Sequence, residues 1–385
     1  MDDTALGLMN LLAPDLMEAL VNRALVLERI SILQPVGRRA LAQRMGIPER
    51  EARMLTDLLR EDGLISVSPA GMTLSERSYE ILDSVRELVR SRTGLASLEA
   101  QLQKLLGIER VRVVPGDVDS DPGVMDEVGR VAGMRLRKLL MPGMILAVNG
   151  GSTVHSVSRH IPRGADMDVT VLPARGGLGR SAETQANTLA EQIALKLGGK
   201  HKPLYLPDNL PQSALKELIK LDEIREPLEE IKRADVLLYG IARADEMARN
   251  RLMSESAISD LVRKGAVAEV LGHCFDINGR LLASASGLGL PEDSFSRIPV
   301  LMAVAAGRHK AEAILAVSRH HKNTCLITDE GAANRILEII RSEKRAFGEK
   351  SRSAHAPFCL RPIKTRFLCG FLCGFCAFSS PINAI

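Results

Sequence analysis

Two glycine-rich loops carry the residue types from which an anion site is built. In Asn149-Gly150-Gly151-Ser152-Thr153 an apolar run ends and an amphipathic stretch begins, so free backbone N–H groups, a helix dipole and two hydroxyls converge on one point. That set favours a phosphate. Pro173-Ala174-Arg175-Gly176-Gly177-Leu178-Gly179 puts a guanidinium beside flexible backbone after the next apolar run. Neither loop has the Walker lysine pattern or the dinucleotide fingerprint, so nucleotide hydrolysis and hydride transfer have no support. Taken alone, each loop is equally well explained as a tight turn. His273 and the His320-His321 pair do not belong to a set of three ligands at metal spacing and read as ordinary core or surface histidines. No catalytic residue and no metal site is assigned.

The elements that would position these loops are short apolar runs alternating with amphipathic stretches from Val111 to Arg341. Strands are expected at Val111–Val114, Met144–Val148, Val169–Leu172, Val236–Tyr239, Val300–Val304 and Thr324–Thr328. Helices are expected near Asp126–Leu140, Thr184–Leu197, Ala244–Asn250, Lys310–Val317 and Ala332–Ile340. This is an α/β pattern with a mainly parallel sheet, in which ligands bind where strands end. Asn278-Gly279 adds a hairpin turn.

Ahead of it, Gly37 to Ile65 reads as helix, glycine turn and second helix. Ala42 allows close helix crossing, Gly46 the positive-φ turn, and Leu41, Met45, Ile47, Ala52 and Leu55 a buried seam. The second helix is expected from Pro48 to Glu61. Leu64–Ser68 and Met72–Leu74, flanking Pro69-Ala70-Gly71, form a wing, which makes residues 1–92 a winged helix-turn-helix that reads DNA. That segment holds twelve arginines, no lysine and fourteen carboxylates, so it fails the basic-domain test as a whole. Locally it is positive. Arg50 and Arg53 at the front of the second helix suit base edges, and Arg38 and Arg39 suit phosphates.

The chain of 385 residues is long enough for a second, larger domain, expected over 93–343 for effector binding and oligomerisation. It has no run of 18 apolar residues and no positive leader at its start, so a cytoplasmic location is expected. Ile81, Leu88, Leu95 and Leu102 recur every seven residues and are read as a linker helix. Six of the eight phenylalanines and four of the six cysteines crowd into 344–385, where seven cations face one carboxylate. Without this tail the net charge of +4 becomes −2, so the basic pI says nothing about DNA. Its segment FLCGFLCGFCAF has neither helical nor alternating apolar period and its cysteine spacings do not form paired metal knuckles, so the tail is expected to be disordered.

Several motifs in one order, GRRALAQRMGIPEREAR, AVNGGSTV, LPARGGLG with QANT, DEMARNR, AVAEVLGHCFDINGR, AVAAGRHKAEAI and LITDEGAA, together resemble the SorC/DeoR-type bacterial transcription regulators that govern central glycolytic genes. The resemblance implies a repressor with a winged reader and a sugar-isomerase-like (NagB/RpiA/CoA-transferase-like) effector domain, binding operator DNA as a homo-oligomer. It implies a phosphorylated sugar effector, fructose 1,6-bisphosphate, and no cofactor. The ligand residues it carries over are Gly150, Gly151, Ser152, Thr153, Arg175, Gln185, Glu269 and Lys310. Arg175, Arg251 and Lys310 would meet phosphate oxygens, while Gln185 and Glu269 would meet sugar hydroxyls. One departure stands out: where the family has adjacent arginines, Asn250 separates Arg249 from Arg251. The competing reading is a sugar-phosphate isomerase or deaminase of the same fold, since a fold alone does not fix a function.

Overall fold

A computed structural model describes residues 8–9, 11–92, 94–164, 166–177, 181–206, 212–284 and 290–353. Leu178 and Gly179 of the second glycine loop and most of the tail lie outside the described residues, and so do the expectations placed on them.

The reader begins with α1 (Pro14–Leu33), which opens on a proline at a position where an N–H has no helical acceptor. In α2 (Arg38–Met45) the last turn closes on Gly46 at φ +64°, a conformation that only glycine adopts without strain, and the Ile47 N–H donates back to the Ala42 carbonyl. Then comes α3 (Glu49–Glu61), with Pro48 just outside it as the N-cap. Leu41, Ala42, Ala52 and Leu55 are buried between the two helices, and Met45 and Ile47 pack on the same cluster. The wing is β1 (Ile65–Ser68) and β2 (Gly71–Leu74), paired antiparallel, with Val36 bridging to Met72. Gly71 is needed where it stands, because a Cβ there would lie 2.8 Å from the Val36 backbone nitrogen.

The expected single linker helix is two helices. α4 (Glu76–Arg92) packs on α1, and α5 (Leu95–Leu106) starts after Gly94 at φ +76°. Leu95 and Leu102 enter the large core while Ile81 stays exposed, so the sevenfold repeat is divided between two environments.

The effector domain alternates β3 (Arg110–Val114), α6 (Val124–Leu139), β4 (Ile145–Val148), α7 (Ser152–His160), β5 (Thr170–Pro173), α8 (Ala186–Leu197), β6 (Lys200–His201), α9 (Gln212–Leu218), α10 (Asp222–Ile231) and β7 (Val236–Gly240). An excursion follows: β8 (Ala242–Arg243), α11 (Ala244–Asn250), α12 (Glu255–Arg263), β9 (Ala266–Val270), β10 (His273–Asp276), β11 (Leu281–Ser284) and α13 (Glu292–Phe295). The chain then returns through β12 (Val300–Val304), α14 (Ala311–His320), β13 (Thr324–Asp329) and α15 (Glu330–Ser353), which runs ten residues past the tail boundary expected at 344.

Seven strands form a parallel sheet in the order β3-β13-β12-β7-β4-β5-β6. Its central strands are Val/Leu-rich and buried on both faces, between two apolar clusters, as crossover helices on both sides require. All six expected strands are present, within a residue or so at each end. From β4 the chain proceeds outward through β5 and β6, whereas β7, β12 and β13 build the other way. The β4/β7 boundary is therefore the topological switch point. The excursion forms a second sheet, antiparallel, in the order β11-β10-β9-β8.

Reader and effector domains meet along α1, α4 and α6. Arg44 of α2 pairs with Asp121, which precedes α6. Glu28 of α1 is buried beside Glu127 of α6. Burial first, then Glu127, pushes its pKa up to about 7, against Arg29, Arg86 and Arg130.

Candidate functional site

At the switch point the loops after β4, β5 and β7 enclose a cavity of about 530 Å³. Its floor is the β4–α7 loop. Gly150 lies so close to the turn at Ala182–Thr184 that an added Cβ would meet the Thr184 carbonyl oxygen at 2.8 Å. The Gly151 N–H donates to that same oxygen at 2.9 Å, and Gly151 takes φ +120° as it caps α7. Asn149 Oδ1 accepts from the Gly150 N–H at 2.9 Å. The first-turn N–H groups of α7 have no helical acceptors and open on the cavity with Ser152 and Thr153.

Arg175, just past β5, is buried, and its guanidinium lies against Gly272, where a Cβ would collide with it. Arg251 ends α11 and donates from Nη2 to Glu269 Oε1 at 2.9 Å; Arg175 Nη1 stands 3.5 Å from the same oxygen. The Gly272 N–H donates there too. Glu269, 3% exposed, lines the cavity and has a second role besides the one the resemblance implies: its Oε1 takes two guanidinia and a backbone N–H and fixes the arginines in place. Eight of the nine expected ligand residues line the cavity; the ninth, Gln185, is half-buried just behind it, Oε1 toward Gly177.

Lys310, between Gly307 at φ +101° and α14, brings a third cation. Burial lowers its pKa, while Glu246, Asp119 and Asp329 support its charge. Among the described residues its ammonium makes no ion pair or hydrogen bond. Arg249 does: its Nη1 pairs with Asp245 at 3.0 Å, and Asp245, held by Arg243 as well, falls to about 2. The split Arg249-Asn250-Arg251 motif therefore presents only one arginine to Glu269.

Sequence reasoning did not single out Thr184, Glu246, Leu252 or Leu271, which also line the cavity. Leu252 and Leu271 have φ +58° and +51°, and no other described non-glycine residue has a positive φ. Such strain, about 1–3 kcal/mol at a residue that is not glycine, persists where surrounding structure imposes it and clusters at ligand sites. Leu271-Gly272 make the two-residue turn joining β9 to β10 with both φ values positive. The Asn278-Gly279 turn is built differently. Only Gly279 is positive, and Asp276 Oδ1 accepts from the Asn278 and Arg280 N–H groups.

The histidines are structural. His273 places Nδ1 on Ser284 and Nε2 on the Leu290 carbonyl, both at 2.9 Å. His320 faces the Gly279 carbonyl and Glu292 Oε1. Contrary to the sequence expectation, three possible ligands do meet here: Glu292, His320 and His321 bring ligand atoms within 4.8 Å of one another. His321, packed on Phe295 and Phe275, is lowered to about 3 by burial and then by His320 and His273. Because that is below the unfolded value near 6.5, stability falls by about 1.4 kcal/mol per unit as pH drops from 6.5 toward 3. Glu28, raised to about 7, does the opposite: stability rises as pH drops from 7 to 4.5. The two offset each other between 6.5 and 4.5. Glu28→Gln is expected to bring the onset of acid destabilisation from about 4.5 up to about 6.5, read from urea midpoints across pH; an unchanged onset would contradict it.

In the reader, Arg50 and Arg53 are exposed at the front of α3 and make no ion pair among the described residues. Arg39 is 90% exposed, 3.6 Å from Glu49. Arg38 differs from its expected role: its Nη2 donates to Asp57 at 2.6 Å, so it ties α2 to α3.

Residues 90–338 match the Sugar-bind family, a sugar-binding domain, and residues 19–89 match the CggR N-terminal DNA binding domain. The chain is 35% identical over 327 residues to the central glycolytic genes regulator of Bacillus subtilis (strain 168), covering 85% of this chain and 96% of that one. The regulator of the same name from Priestia megaterium is 33% identical over the same shares. Among solved structures, a SorC family transcriptional regulator from Enterococcus faecalis superposes with a TM-score of 0.59 at 36% identity, over 63% of this chain and 99% of that one. The full-length sorbitol operon regulator SorC from Klebsiella pneumoniae, at 20% identity and a TM-score of 0.60, shares the fold over 78% of this chain and 93% of its own. No described helix is long and apolar enough to cross a membrane. With a DNA-binding domain at one end, a sugar-binding domain after it and these relatives over most of its length, the chain belongs to the SorC family of transcriptional regulators, in the group of the central glycolytic genes regulators.

Proposed function

We propose that this protein is a cytoplasmic repressor of central glycolytic genes whose grip on operator DNA is controlled by a phosphorylated sugar, fructose 1,6-bisphosphate, acting as effector and not as substrate. The observation that carries the reading is the cavity at the switch point, where the free N-terminus of α7 and the cations Arg175, Arg251 and Lys310 converge. A helix N-terminus and a fixed set of cations suit two phosphates joined by a short polyol. The reader engages DNA through Arg50 and Arg53 at base edges and Arg39 at phosphate. The protein works as a homo-oligomer, because paired readers span two half-sites about one DNA turn apart. The effector alters operator affinity by binding one subunit arrangement better than another.

The test is binding of promoter DNA from the gene's own neighbourhood, with and without fructose 1,6-bisphosphate, at fixed salt. Arg175→Ala is expected to lose the sugar response and keep operator binding. Arg50→Ala with Arg53→Ala is expected to weaken operator binding by at least about 10-fold while sugar binding persists. Turnover of a sugar phosphate with no specific DNA binding would move the case to an isomerase-like enzyme. Joint loss of both activities in both variants would refute the separation of sites.

A further inference from the structure

A second cavity, of about 300 Å³, lies where the reader meets the effector domain, and the effector site described above makes no use of it. Seven cationic side chains line it against four carboxylates, an excess of three positive charges. The cations come from both domains: Arg86 and Arg90 from α4, and Arg130, Arg135 and Lys138 from α6. Three of the seven are held out of water, the Arg86, Arg90 and Arg130 side chains being only 16%, 17% and 18% exposed, while Arg110 and Lys138 reach solvent. Buried guanidinia that repel one another, as Arg86 and Arg130 do, are unfavourable unless something neutralises them.

The carboxylates neutralise this charge only in part: Arg90 pairs with Glu87 and with the buried Glu99, which also stands 3.9 Å from Arg112. Arg130 is clamped by Glu127, yet its Nη1 points at the Met134 thioether, a weak acceptor. Arg86 reaches only Asp83, at 3.3 Å, and the Arg130 charge presses on it from the other domain. Arg110, Arg135 and Lys138 make no ion pair among the described residues. The Nε donors of Arg86, Arg90 and Arg135 are buried without an acceptor, and each such orphan in a native fold calls for an explanation. The fourth carboxylate, Glu28, has its pKa raised by burial and by Glu127, which weakens it as a counter-charge.

We propose that this junction cavity is a second anion site, taking a phosphate-class oxyanion that Arg86 of α4 and Arg130 and Arg135 of α6 hold between the reader and the effector domain. Planar guanidinium forks match phosphate oxygens two at a time. The bound anion turns a repulsive contact into a bridge and couples the reader's position to the supply of phosphate or a small phosphomonoester.

The experiment uses the full chain carrying Arg175→Ala and Lys310→Ala, which removes two cations of the first cavity. Equilibrium dialysis with inorganic phosphate as the probe is expected to find one saturable site per chain. Adding Arg86→Gln and Arg130→Gln is expected to weaken that site at least 10-fold, and Arg135→Gln, a milder change, to weaken it measurably, with melting curves confirming a folded protein. Competition by glycerol 1-phosphate separates the sources: displacement at lower concentration than phosphate itself assigns the site to a phosphomonoester, and weaker displacement to the free ion. Absence of saturable phosphate binding in the Arg175→Ala, Lys310→Ala chain overturns the proposal, as does binding unaltered by the arginine changes. Failure of the first cavity to take sugar phosphate leaves this result unchanged, because it is read with that cavity disabled.

Discussion

Asp329→Ala is expected to lower the unfolding free energy by about 3–5 kcal/mol, among the largest losses any single substitution in this chain can cause. Asp329 ends β13, the strand beside the edge strand β3, and is completely buried. Its Oδ1 accepts from Gly307 N–H at 2.9 Å and Ala332 N–H at 3.2 Å, and its Oδ2 from Val118 N–H at 2.8 Å. One carboxylate thus closes the loop after β12, the start of α15 and the loop after β3. Alanine leaves three buried donors unpaired, at about 1–3 kcal/mol each before relaxation. Asp329→Asn is expected to lose less, since one oxygen still serves two donors while the amide faces the third. The measurement is the urea midpoint at constant m-value. A loss under about 1 kcal/mol for alanine would show that the loops hold themselves. The consequence reaches the site as well, because the loop that Asp329 anchors at Gly307 carries Lys310 three residues later.

The parts that were legible in the sequence are those set by local rules. The parallel strands are continuous apolar runs, and the reader's turn is announced by Gly46 between two amphipathic helices. The excursion from β8 to β11 was not legible as a sheet. Its strands are two to five residues long, and its tight turn uses Leu271, where a two-residue hairpin turn prefers Asn, Asp or Gly. Roles that depend on distant partners were equally hidden. Glu269 reads only as a ligand until Arg175 and Arg251 are seen on one of its oxygens, and nothing in the spacing announces that convergence. Arg38 reads as a phosphate contact until Asp57, on the next helix, is found against it. The sevenfold leucine repeat misled for a related reason: Gly94 breaks the helix, and the two halves bury their leucines in different places. The loops of the site were nevertheless found, because a phosphate-binding glycine turn must follow a strand and open a helix, and the sequence displays both.

Lys310→Met is the sharpest separation of ligand affinity from fold stability that this structure offers. Removing Arg175 strips one of two guanidinia from the buried Glu269, so its effect on affinity comes mixed with a cost in stability. Lys310 makes no ion pair in the described protein, and burial already works against its charge. A methionine of similar length is therefore expected to leave the urea midpoint unchanged or slightly raised. If the ammonium meets a phosphate of the effector, its loss removes a charge-assisted hydrogen bond worth about 2–3 kcal/mol, roughly 30- to 150-fold in sugar-phosphate affinity. Operator binding without effector should be unchanged. The pH dependence supplies an independent reading. Only the protonated lysine attracts phosphate, and its lowered pKa means that affinity declines with rising pH sooner than an ordinary lysine would allow. Measured above about pH 7.5, where the phosphomonoester is fully ionised, wild-type affinity should fall as pH rises while the methionine variant stays flat. Equal affinity in the two proteins, or parallel pH profiles, would place the phosphate elsewhere in the cavity and leave Lys310 as a bystander beside it.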